Sequence, residues 1–559
     1  MMNNASFFRI FAFSLLFAAF SCFFTGFTFG VNNNVFHLPI IFNLFDLNQF
    51  KEDLFIQSLR YYSSGFWHLL RGAYCFGDIK VLFLCLFIFS RFIFFLGFFL
   101  CCSFFSSLAW KHIAFLGSLS LLIPFCYGMS FAGGGGLFLN SFTHSELANG
   151  LVLIFLYFLA QRQIGFALAT NGLCFFVNCF MALWSFLPLG LFFAFDLFNR
   201  NNWKSSWKSL SFGIVFFAFC AFPIISNILS NPYLNSDLSF SYKNFLLFYW
   251  PYHSLAEAVP VFEYLKLSNV IIITCFCFAR LGQFGRRFIV IFILYLVGYL
   301  FGILFSFFFP SFFLLNCNFL RSSVIFHLAA VLAITNYLFS LNNTSKDLGD
   351  YLAPLILLST LLTDMTSFLF VPFMVFSEKA ISMSFNKPLH RYFKRGLALV
   401  FSLFLFFYWS VFAGKSFIAS FRFNSQIDNL IEFSRWIRTN TEANSVFLLP
   451  TMNFNEAEKL RLKGLPIPDQ GFCDFSVFQS FAERRVFVDF KRGASVMWCP
   501  DYYFEWKPRI DSVLRHESLN NMVEFAKSER IPYIIYDAGR FPDAPAFYKT
   551  GRFGLIKVF

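Results

Sequence analysis

Long apolar runs recur from the N-terminus to about residue 414 and are separated by short polar stretches. A hydrocarbon core takes roughly 20 apolar residues per helix. Runs of that order lie at 7–29, 81–107, 112–131, 145–161, 163–180, 182–197, 209–229, 267–280, 288–309, 321–341, 351–376 and 396–414. The first has no convincing small-residue cleavage site after it, so it reads as a retained helix. A polar stretch at 30–80 follows, with the spacing of short amphipathic helices lying along a membrane surface. From 415 onward the pattern changes. Helical spacing at 425–439, 476–483 and 519–529 alternates with short apolar stretches at 445–450, 485–490, 532–537 and 554–559. That alternation predicts a small α/β domain with up to four strands. The expected architecture is a polytopic α-helical membrane protein with about 11–13 transmembrane helices. Residues 1–414 form the multipass part with external loop 30–80, and 415–559 form a soluble C-terminal α/β domain.

Composition agrees with a lipid solvent. The chain has 559 residues, 58% hydrophobic and 13% charged, where a soluble protein carries roughly 25% charged residues. Phenylalanine supplies 96 positions; it serves as lipid-facing filler or, less economically, as an aromatic binding surface. The net charge is +13. Its basic residues fall mostly in short loops, as the positive-inside rule requires, and they attract anionic headgroups. Membrane lipids are therefore expected partners. No basic stripe with interleaved aromatics occurs in the tail, so nucleic acid is not an expected one. The 14 cysteines include no CxxC pair, which argues against a zinc site. Cys473 and Cys499 can pair if the tail is extracytoplasmic.

Charge also orients the array. Lys111, Arg162, the Arg200/Lys204/Lys208 group and Arg280/Arg286/Arg287 mark one side, whereas 131–144 has no Lys or Arg. This puts the N-terminus in the cytoplasm and loops 30–80, 131–144 and 230–266 outside. The stretch 377–395, with Lys379, Lys387, Arg391, Lys394 and Arg395, breaks the alternation. Segment 351–376 carries Asp364 near its middle and Pro354 and Pro372 near its ends. Two short passes there restore the count, at thirteen crossings with an external tail. Asp364 is costly in lipid and should face protein or water.

The first external loop holds the strongest candidate chemistry. Asp46 and Asp53 are seven apart, which on one helix places them on one face about 10 Å apart along the axis. Glu52 is adjacent and His37 lies upstream. A carboxylate at a water–lipid boundary can take a proton from an acceptor hydroxyl or hold a divalent cation. The same aspartates also fit helix N-caps, and His37, before Leu38-Pro39, also fits a turn. In YWPYHSLAEAVP (249–260), His253 and Glu257 are four apart and can share a helical face among aromatics. An interfacial aromatic belt accounts for Trp250 and Tyr252 equally well. Arg321 opens a segment where a guanidinium can hold a phosphate or snorkel to headgroups. Arg91 lies within an apolar run. The run Gly133–Gly136 fits close backbone approach to a ligand or a flexible turn. There is no phosphate loop, HExxH or GxSxG.

The order of retained helix, acidic external loop, many helices and α/β tail resembles the GT-C glycosyltransferases. More narrowly, NNNVFHLPIIFNLFD…KEDLF, WIRTNTEANSVFLLP, RRVFVDFK (484–491) and EWKPR (505–509) resemble a group of bacterial multipass membrane proteins. WPYHSL resembles that group's paired-His loop, with Tyr252 in the place of the first His. The resemblance implies a bacterial inner-membrane enzyme that takes a polyprenyl-phosphate-linked sugar at the extracytoplasmic face. It implies Asp53 or Asp46 as base or metal ligand, and His37, Glu52, His253, Glu257 and Arg321 around the substrate. Glu52-Asp53 stands where the family's usual acidic pair is expected. Asp489, Lys491, Glu505, Trp506 and Arg509 are carried over as signature residues of the tail. A transporter or lipid flippase, and a non-catalytic scaffold, are the alternatives. A flippase would need paired intramembrane charges and inverted repeats at the midplane; the charges inside segments are few (Arg91, Asp364), and no repeat is visible.

Overall fold

The computed structural model describes residues 4–31, 33–123, 127–198, 203–235, 238–344, 389–451, 475–516 and 518–559. The expected segment 351–376 with Asp364, the basic residues Lys379 and Lys387, and Cys473 lie outside the described residues.

Helices form where the apolar runs are. Among the described residues, six are long and apolar enough to cross a membrane: Ala5–Thr25, Ile79–Cys102, Trp207–Leu229, Val261–Ala279, Gly282–Phe308 and Phe312–Leu341. Shorter apolar helices occupy His144–Ala160, Ile164–Val177 and Cys179–Phe195. These helices support a multipass membrane protein. The run expected at 112–131 is helical only over Trp110–Leu122. Beyond it the chain turns back on itself through isolated bridges, Tyr127 to Phe138 and Met129 to Gly136. The final run differs from expectation in a different way. A single helix, Leu389–Asn440, takes in both the last apolar run and the helix expected at 425–439. No proline breaks the sequence there, and hydrogen bonding propagates through Gly414 across the change in polarity.

The chain divides into two compact units. The first comprises 1–27, 84–222 and 251–418. The second comprises 28–83, 223–250 and 419–559. The tail expected from 415 thus shares a unit with the first loop.

In the first unit, helices pack through small residues. A Cβ added at Gly165 would strike the backbone of Ser209, and one at Gly213 would strike the backbone of Gly165. The helices Ile164–Val177 and Trp203–Leu229 therefore meet backbone to backbone, as helices do where lipid supplies no hydrophobic drive and close packing must. Outward-pointing residues on the same helix are large and apolar, with Val215, Phe219 and Phe222 exposed.

The second unit is built on a five-stranded sheet in the order β2-β1-β3-β5-β4. Its strands are β1 (Val446–Leu448), β2 (Arg485–Val486), β3 (Tyr533–Asp537), β4 (Tyr548–Thr550) and β5 (Phe553–Lys557). β1 pairs in parallel with β2 and β3, and β5 pairs antiparallel with β3 and β4. Four strands match expected apolar stretches; β4 was not expected, because YKT carries no apolar run. β2 is shorter than RVFVDF implied. Asp489 Oδ1 accepts the Lys491 amide at 2.8 Å and starts a 3-10 turn over Lys491–Met497. Helix Tyr502–Leu514 was also not expected, because Pro508 lies inside it. Amphipathicity prevails over the proline: Trp506, Ile510 and Val513 are buried on one face.

Candidate functional site

The first loop does not form one continuous helix. It folds as short pieces: Asn34–Ile41, 3-10 turns at Leu44–Asp46 and Asn48–Phe50, Leu54–Ser58 and Gly65–Leu69. Asp46 and Asp53 therefore do not share a helical face. Extended Leu47 breaks the helix between them, and left-handed Asn43, at φ 54°, separates the turn that carries Asp46 from the helix Asn34–Ile41.

The two aspartates take different partners. Asp53 is nearly buried, and it is the N-cap of Leu54–Ser58, with Oδ1 accepting the Ile56 amide at 3.1 Å. Its Oδ2 accepts a long bond from Gln479 Nε2, and Gln479 Oε1 accepts from Arg492 Nη2 at 2.7 Å. Both of those residues are buried. Arg492 lies over the Phe55 ring, 4.8 Å from its centre. A buried chain thus joins the first loop to the tail. Asp46, by contrast, is half-exposed and bridged by Arg60 at 2.8 Å and Arg71 at 3.2 Å. Both guanidiniums also lie over Phe45. Glu52 is exposed. His37 is fully buried and stacks on Trp67 with ring centres 3.8 Å apart.

The tail signature residues lie nearby in the same unit. Arg509 pairs with Glu505. Trp506 Nε1 donates to the Asp489 carbonyl at 2.9 Å. Burial raises the pKa of Glu505; Arg509 opposes this and Asp53 adds to it. Arg484 is buried and donates to five acceptors, including the Arg438 and Thr441 carbonyls, at the end of the long helix.

An open cleft of about 680 Å³ also lies in this unit. One wall is a face of the long helix: Asp428, Ile431, Glu432, Arg435 and Arg438. The other is the chain from Tyr74 to Lys80 with Phe42 and Phe481. Phe42 and Tyr74 stack with ring centres 4.8 Å apart. Lys80 pairs with Asp428, and Arg438 pairs with Glu483 at 3.0 Å.

The remaining candidates are in the first unit. His253 Nδ1 is 3.0 Å from the Gly133 carbonyl oxygen, whereas Glu257 accepts from Ser306. Two separate 3-10 turns, Pro251–His253 and Ala256–Ala258, send the two side chains to different partners. The glycine run is a tightly packed turn. A Cβ at Gly133 would strike the Leu320 carbonyl, and one at Gly134 would strike the His253 ring. Arg321 is partly buried at the turn Phe319–Ser322. Arg91 is fully buried and pairs with buried Glu146 at 2.8 Å, sandwiched by Phe87 and Phe138. Sequence reasoning noted Arg91 but missed Glu146; an opposite lone charge at the start of another apolar run was the available signal. Arg60 and Arg71 were missed because their pairing with Asp46 spans 14 and 25 residues.

Among the described residues, no group of three or more His, Cys, Asp or Glu side chains is placed to hold a metal ion. Asp53 caps a helix and Asp46 is held by two arginines, an arrangement that suits the base alternative better than a shared divalent cation. No protein-family model matches the chain, and no curated protein matches it.

Proposed function

We propose that this chain is an integral membrane glycosyltransferase of the GT-C type. It would take its sugar from a polyprenyl-phosphate donor at the extracytoplasmic face of a bacterial inner membrane, with about 11–13 crossings. The observation that carries this reading is the second unit. Residues 28–83 and 419–559 fold together, so the acidic loop stands on a scaffold supplied by the tail. The six apolar helices supply the membrane part. In this reading Asp46 is the carboxylate that meets the acceptor, because it reaches solvent. Arg60 and Arg71 orient it and present guanidinium groups to a donor phosphate. Asp53 holds the loop to Gln479 and Arg492 and acts through position. His37 sets the loop core by stacking. His253, Glu257 and Arg321 remain proposed substrate contacts.

The test is sugar transfer from polyprenyl-phosphate-linked donors, measured with the purified full chain in liposomes. Asp46→Asn should abolish transfer while the thermal midpoint stays near wild type. Full transfer by Asp46→Asn and by Asp53→Asn would remove both assignments. A second reading, transport, is favoured by the Arg91–Glu146 pair inside apolar helices, since buried charge in a membrane marks functional pathways. Glu146→Gln should abolish lipid or solute flux if that reading holds.

A further inference from the structure

We propose that the cleft between residues 74–80 and the 428–438 face of the long helix binds a phosphoethanolamine group, the headgroup of a zwitterionic membrane lipid. This rests on Ile79–Cys102 crossing the bilayer, and not on sugar transfer.

The lining carries three basic residues, Lys80, Arg435 and Arg438, and three acidic ones, Asp78, Asp428 and Glu432. A purely anionic ligand would meet the three carboxylates at close range, and a purely cationic one would meet the three basic groups. A ligand with both charges satisfies both sets. Lys80 already pairs with Asp428, so the separation of charge lies on the helix face alone. Along the helix, Asp428 and Glu432 come first, then Arg435 and Arg438. Positions three and four apart share a face, and Glu432 to Arg435 is a step of about 4.5 Å along the axis. That spacing suits a phosphate and an ammonium joined by a two-carbon linker. Arg435 and Arg438 can offer paired donors to phosphate oxygens. Arg438 also holds Glu483, and Arg435 lies over Phe481, so both guanidiniums are positioned beforehand.

The ammonium end has the Glu432 and Asp78 carboxylates as acceptors. The stacked Phe42 and Tyr74 rings lie toward the guanidinium end, Phe42 against Phe481, over which Arg435 sits. A primary ammonium can donate three hydrogen bonds to such carboxylates. A trimethylated one cannot, which separates ethanolamine from choline. The cleft also lies at the first turn of an apolar helix, with Ile79 and Ile431 in its lining. A helix entering the bilayer at Ile79 puts this cleft at headgroup depth, where the lipid's glycerol and first methylenes meet those two side chains.

The experiment titrates the detergent-solubilised full chain by calorimetry. The probes are dihexanoyl phosphatidylethanolamine, -choline and -glycerol, and O-phosphoethanolamine. The expected result is tightest binding to the ethanolamine lipid, by about tenfold over choline and glycerol, the scale of one charge-assisted hydrogen bond. Arg435→Ala and Glu432→Gln, both exposed helix positions, should each weaken it by about tenfold with unchanged elution and melting. Equal binding of all three lipids, or normal binding by both variants, would overturn the proposal. Binding of O-phosphoethanolamine as tight as that of the lipid would support the headgroup chemistry and overturn the lipid source. A failed sugar-transfer assay leaves this test intact, whereas a chain that is folded and monodisperse without detergent removes the membrane reading beneath it.

Discussion

Asp53 and His68 show how single residues tie the first loop down. Asp53 caps Leu54–Ser58 and accepts from buried Gln479. Replacing a cap costs about 1 kcal/mol, and here the change also strips an acceptor from a buried amide. Asp53→Ala should lower the thermal midpoint in detergent clearly, and Asp53→Asn, which keeps a capping oxygen, much less. An unchanged midpoint for Asp53→Ala would show that the cap is idle. Burial holds the His68 pKa below the ordinary imidazole range; its contact with the Tyr62 carbonyl opposes this, and Arg71 adds to it. A depressed folded value means that the folded state resists protonation. Stability is therefore complete above about pH 6.5 and falls as pH drops toward the folded value. Melting between about pH 7.5 and 5 should show a loss in wild type that His68→Gln lacks.

Between elements, the decisive contacts are the close ones. Ile164–Val177 and Trp203–Leu229 touch at Gly165 and Gly213, where no side chain fits. Gly213→Leu should destabilise the first unit by about 1–3 kcal/mol, the usual cost of overpacking. Gly298, in Gly282–Phe308, has open space around its Cβ position. Gly298→Ala should be neutral or slightly stabilising, since alanine restricts the unfolded chain. Thermal melts of the two variants in one detergent provide the comparison, and similar midpoints would refute the packing argument. In the second unit, β2 ends early because Asp489 folds back on the Lys491 amide, an arrangement that the apolar count of RVFVDF does not show.

At the scale of the molecule, the second unit draws on three stretches of chain, 28–83, 223–250 and 419–559. If the apolar helices cross a bilayer, these stretches lie on one side of it. Glu52→Cys and Glu524→Cys replace exposed residues of the first loop and of the tail. Membrane-impermeant maleimide should label both from the same face in sealed vesicles, above the wild-type background. Labelling from opposite faces would refute the single-sided arrangement and the proposed enzyme with it.

The sequence by itself determined the elements whose cause is local. Hydropathy located most of the described apolar helices, because water excludes such runs wherever they occur, but it misplaced the ends of the runs at 112–131 and 396–414. Alternating short apolar stretches announced the strands around Val446, Tyr533 and Phe553 for the same reason. The tertiary structure alone decided how the charged groups are used. Asp46 and Asp53 look alike in sequence, yet one meets two arginines and the other caps a buried turn. Glu146 pairs with Arg91 across 55 positions, and Gln479 reaches Asp53 across 426. Such pairs leave no periodic trace, because their partners are brought together only when the helices pack and the loop closes onto the tail.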